Sequence, residues 1–68
     1  MGRGIVAEFD AHVGLGLVRS TDGNEYPFHC TQIADGSRVI AVAADVDFEI
    51  VAGPLGRFEA TAIRLTQP

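Results

Sequence analysis

A chain of 68 residues holds one small domain, and a single domain over residues 1–68 is expected. The formal net charge is −4, from five arginines, no lysine and nine acidic residues. That balance makes the chain a poor general polyanion binder, because nucleic-acid affinity rests heavily on cations that displace counterions from phosphates, and the distribution of charge rather than its sign decides.

Cys30 is the single cysteine, so an internal disulfide is impossible, and a free thiol fits a reducing compartment. No apolar run approaches the ~18 residues that a membrane span requires. The opening "MGRGIV" lacks the apolar stretch of a signal peptide. Val6 also stands where a myristoylation pattern needs Ser or Thr. A soluble, cytoplasmic chain with no membrane partner is expected.

In chain order the pattern is β throughout: short runs rich in Val, Ile and Phe, separated by Gly, Asp, Asn and Pro. "GIVAEFD" is expected as the first strand and "LGLVRS" as the second, joined by the turn-like "DAHVG". "TDGNE" is a hairpin signal, because Asp22, Gly23 and Asn24 tolerate positive φ. "EYPFHC" follows as the third strand; Pro27 has no N–H for a ladder and belongs at an edge or a bulge. "TQIADGSR" reads as a turn of helix or an irregular connection. "VIAVAADVDFEIV" holds the fourth strand, with Val46, Phe48 and Ile50 alternating against Asp47 and Glu49, one face buried and one wet. "VIAVAAD" has the composition of a short helix, but its Val and Ile content argues against one. After the Gly-Pro loop "AGPLGR", "FEATAIRL" is the fifth strand, less regular in pattern. Exposed strand edges favour closure, so a small all-β, five-stranded antiparallel barrel of the oligonucleotide-binding type is the leading architecture.

Laid out this way, the chain resembles the cold-shock domain over about residues 4 to 65. That family opens on a pattern like G-x-V-x-W-F-N followed by K-G-F-G-F-I; "GIVAEFD" and "VGLGLV" stand at the same spacing. Its next block, D-G and then V-F-V-H-F-S-x-I, is matched by "DGNEYPFHCTQI", with His29 and Ile33 in register. Its closing G-x-x-V-x-F-E-I and G-P-x-G-P-x-A-x-x-V are matched by "ADVDFEIVAGPLGRFEATAI", with a slip of about one residue after Gly56. The resemblance implies a five-stranded antiparallel barrel that binds single-stranded RNA or DNA.

The family's binding residues carry over unevenly. Phe9 and His29 match. Glu8 stands where the family has an outward Trp, and Ala7 and Val13 stand where it has lysines. Its two stacking Phe residues of strand two are Leu15 and Leu17 here. Its outward Phe of strand three is Pro27, and the Phe after the histidine is Cys30. Strand alternation puts Leu15, Leu17, Pro27 and His29 on one face, with Phe9 and Glu8 expected beside them from strand one. Arg38 and Arg57 fall in loops that border the binding face in this family, as phosphate contacts or as solubilising charges. Phe58 is a further candidate. Base stacking on an aromatic ring is worth ~1–3 kcal/mol per base, and leucine has no π-face. Binding of single strands is therefore expected to be weak or altered. The alternative is a face of Leu15, Leu17, Pro27 and Cys30 that meets a protein partner or a second copy of the chain.

No catalytic, metal or cofactor chemistry is expected. His12, His29 and Cys30 are the soft ligands, and neighbouring strand residues chelate poorly, whereas zinc takes at least three placed ligands. A Cys–His nucleophile would need an orienting third group, and Cys30 reads more simply as a small apolar residue. Asp45, Asp47 and Glu49 read as the wet face of one strand. "GLG" is no dinucleotide fingerprint, since no helix or third glycine follows. A binding module rather than an enzyme is expected.

Overall fold

The computed structural model describes residues 2–53 and 56–66. Five strands form one antiparallel sheet: β1 Gly2–Asp10, β2 Leu15–Ser20, β3 Glu25–His29, β4 Asp45–Ala52 and β5 Phe58–Leu65. Their order across the sheet is β3-β2-β1-β4-β5. One 3-10 turn, Cys30–Gln32, follows β3. No helix among the described residues is long and apolar enough to cross a membrane.

The turns form where short polar side chains and glycines permit them. Between β1 and β2, Asp10 Oδ1 accepts from His12 N–H at 3.0 Å, and Gly14, at φ 75°, donates its N–H to Asp10 O at 2.8 Å. Between β2 and β3, Asp22 Oδ1 accepts from Asn24 N–H at 3.0 Å, the Asx turn that a hairpin of this composition favours. Pro54 and Leu55 of the "AGPLGR" loop lie outside the described residues.

The core collects one side of the curled sheet. Val6, Val18, Phe28, Val46, Phe48, Ala60 and Ile63 are buried, with Cys30 and Ile33 closing one end. The edge strands β3 and β5 approach with Cα atoms within 8 Å of each other, and Ile33 bridges Ile63 in parallel. The Thr61 hydroxyl donates to Gln32 Oε1 across the same seam. No ladder joins β3 to β5 among the described residues, so the sheet is curled but not closed by hydrogen bonds.

Two irregularities set which side chains face where. The β1–β2 register shifts between Val6 and Glu8, leaving Ala7 unpaired, and such a bulge swaps the faces of all that follows. Val6 thus points in, while Glu8 and Asp10, two and four residues later, point out. In β5, Ala62 at φ 52° lies within a second shift, which lets Ala60 and Ile63 both enter the core. That accounts for the uneven apolar pattern of this strand.

The structure corrects three expectations about where the strands run and what they bury. β3 ends at His29 rather than Cys30, because the chain turns there and the His29 side chain caps the turn by accepting from Thr31 N–H. Ile50 is not on a buried face: it and Val51 are each 43% exposed. β1 pairs only with Asp45–Phe48 of β4, so from Glu49 onward β4 is flanked by β5 alone and Glu49, Ile50, Val51 and Ala52 are exposed. Residues 39–44 form neither strand nor helix; Ala43 turns there at φ 74°.

Candidate nucleic-acid interface

The outer face of β3-β2-β1 is built in rows by the register. Pro27, Leu17 and Glu8 form one row, and His29, Leu15 and Asp10 the next. A third row, Glu25, Arg19 and Ile5, closes the face at its other end. The structure therefore brings Leu15, Leu17, Pro27 and His29 together on one side, as strand alternation requires.

Their spacing is close. Ser20 N–H donates to Asn24 O and Cys30 N–H to Gly14 O, so these two pairs bracket the β2–β3 ladder. The intervening odd-numbered β2 residues then sit in non-hydrogen-bonded pairs, where side chains approach most closely. Leu15 faces His29 and Leu17 faces Pro27 in this way. The same pattern turns the Pro27 nitrogen away from β2 toward the open edge, so its missing N–H removes no ladder bond.

Phe9 is the exception. The bulge at Ala7 sends it to the inner side, opposite Gly16, where it packs half-buried against the core. The expectation that Phe9 joins Glu8 on the outer face is corrected on this ground. Glu8 does lie on that face and is exposed.

Local charge on the face is mostly negative. Glu8, Asp10 and Glu25 are exposed, and the cation among them, Arg19, is held by Glu25 Oε2 through Nε at 3.1 Å and Nη2 at 2.8 Å. His29 is exposed, and its Nδ1 accepts from Thr31 N–H at 3.2 Å. In the neutral ring this bond places the proton on Nε2, leaving a donor free for a ligand.

Two grooves flank the rows. One, of about 470 Å³, lies over β1 and β2 and is lined by Glu8, Phe9, Asp10, Leu15, Leu17 and Val42, among others. The other, of about 590 Å³, lies between β3 and the start of β5 and is lined by Glu25, Tyr26, Pro27, Arg57 and Phe58, among others. Phe58 is 59% exposed, an aromatic ring held in water. This second groove joins Arg57 and Phe58 to the Pro27 edge of the face. Arg38 is exposed on the connection to β4, whose residues Asp35, Ser37 and Val39 line a different groove.

Sequence reasoning passed over Asp10, Tyr26 and Val42. Asp10 faces outward only because of the Ala7 bulge, and Val42 reaches the first groove only because the chain turns at Ala43. Tyr26 packs against the core, with its ring 6.0 Å from that of Phe48, yet it also lines the second groove.

Among the described residues no group of three or more His, Cys, Asp or Glu side chains is placed to hold a metal ion. His29 is exposed and Cys30 buried, and because the chain turns after His29 their side chains come into contact, with Sγ 3.9 Å from Nδ1. No protein-family model matches the sequence, and no curated protein matches it.

Proposed function

We propose that the chain is a cold-shock-type oligonucleotide-binding barrel, a cytoplasmic, non-enzymatic module that binds single-stranded RNA or DNA weakly. The observation that carries this reading is the groove in which Arg57, Phe58, Tyr26 and Pro27 meet. It offers a stacking ring and a guanidinium beside each other, the pairing that single strands use without sequence preference. His29, two residues along β3 from Pro27, adds a free ring donor on the same face.

Low affinity follows from the rest of the face. Leu15 and Leu17 give apolar contact without a π-face, and Glu8 and Asp10 repel phosphates. The binding footprint is thus displaced from the centre of the face toward its Pro27 edge. Sheet order supports the barrel reading: β3 and β5 are the strands a closed barrel would join, and they already approach one another.

Fluorescence anisotropy with labelled pyrimidine heptamers at low salt tests this. The expected result is binding weaker than micromolar, lost on adding salt and lost in Phe58→Ala and Arg57→Gln. No binding at millimolar strand would overturn the function. Micromolar or tighter binding would overturn the weakening.

A further inference from the structure

The groove over β1 and β2 differs in chemistry from the one that holds Phe58. Its lining is largely aliphatic: Leu15 is 53% exposed and Val42 57%, and Leu17 joins them. Its rim is acidic, from Glu8 and Asp10. Arg3 and Arg19 are taken up by Asp47 and Glu25, and no ion pair reaches Glu8 or Asp10 among the described residues. These two carboxylates are outward residues of one strand, two positions apart, so their backbones are separated by about 6.6 Å.

We propose that this groove binds an extended, lysine-bearing segment of a partner protein, with cations two residues apart. Lysine suits it in both halves. The butyl stem lies along Leu15, Leu17 and Val42, while the ammonium reaches the carboxylate beyond them. A segment with lysine at alternate positions repeats every 6.6–6.8 Å, the spacing of Glu8 and Asp10. Charge argues against the other occupants. A nucleic acid would bring phosphates to an acidic rim, and a second copy would bring another net charge of −4. This inference is independent of the single-strand proposal, which rests on the Arg57–Phe58 groove.

The test is nitrogen–proton chemical-shift mapping of the full chain with a capped Lys-Val-Lys-Val-Lys peptide. Its Glu-for-Lys counterpart serves as the control. Shifts are expected at Glu8, Asp10, Leu15, Leu17 and Val42 with the cationic peptide and not with the acidic one. Glu8→Gln with Asp10→Asn should weaken binding about fivefold or more. Leu15→Ser should weaken it with both carboxylates retained. Asp45→Asn with Glu49→Gln removes two exposed charges elsewhere and should leave affinity unchanged.

Equal loss in the Asp45/Glu49 variant, or shifts spread over β4, would reduce the effect to general charge attraction and overturn the proposal. Mapping of a pyrimidine heptamer to this groove would assign it to nucleic acid instead. Mass that rises with concentration in light scattering, with shifts at these residues, would assign it to a second copy.

Discussion

Phe9 stacks on Phe28 across Gly16, with ring centroids 6.0 Å apart and planes 10° from parallel. A Cβ on Gly16 would lie 2.7 Å from Phe28 Cζ and 2.7 Å from Glu8 O. The glycine is therefore required by the ring pair beneath it. Gly16→Ala should cost about 1–3 kcal/mol through overpacking. In a domain of this size each kcal/mol lowers the melting temperature by roughly 4–8 °C. Thermal unfolding followed by circular dichroism reads this directly; an unchanged midpoint would contradict the close packing.

The outer face offers a gain-of-function test. Leu15 and Leu17 already point outward opposite His29 and Pro27, and Glu8 stands in the Leu17 row. Replacing them together as Leu15→Phe, Leu17→Phe and Glu8→Trp adds three rings and removes one negative charge. At ~1–3 kcal/mol per stacked base, heptamer affinity should rise at least tenfold. Anisotropy titrations of the triple variant and the parent at equal salt make the comparison. No gain would show that backbone shape, rather than side-chain identity, limits binding.

Ala43 turns the chain at φ 74° while exposed to solvent. A β-branched residue tolerates that conformation poorly, whereas glycine adopts it freely. Ala43→Val should destabilise the domain by about 1 kcal/mol or more, and Ala43→Gly should not lower stability. Urea unfolding midpoints distinguish the two; equal midpoints would contradict a constrained backbone at this turn.

Asp22 gives the β2–β3 turn a pH dependence. The Asn24 backbone N–H, and after it the Ser20 hydroxyl, holds the Asp22 carboxyl below its ordinary value of 3.8. A lowered folded value stabilises the turn at pH above the ordinary carboxylate range. The contribution fades as pH falls through the lowered value. The Asn24 amide shift should titrate with a midpoint below 3.8, and Asp22→Asn should abolish that step. A midpoint at or above 3.8 would contradict the hydrogen bond.

Much of the sheet was legible in the chain. β2 and β5 begin and end where the apolar runs "LGLVRS" and "FEATAIRL" do, and Pro27 marks an edge strand as its missing N–H requires. What periodicity could not carry was change of phase. Val6, Glu8 and Asp10 share a parity, yet the Ala7 bulge sends the first inward and the others outward. No side chain near Ala7 announces that insertion, because the backbone bonds Val6 N–H to Ala44 O and Ala43 N–H to Val6 O accompany it. Ile50 continues a clean alternation but outruns the partner strand that would have covered it. The candidate site followed the same division. Leu15, Leu17, Pro27 and His29 were placed by alternation within unbroken strands, whereas Phe9 was misplaced by one bulge.

The Pro27 nitrogen that faces away from β2 also governs how the molecule behaves in a crowd. A stray strand seeking to extend the sheet along β3 meets a missing donor halfway along a five-residue edge. Seeding of stacked, fibril-like assemblies through that edge is therefore blocked at its centre. Visitors are left with the broad side of the sheet, where side-chain chemistry rather than backbone templating decides who stays.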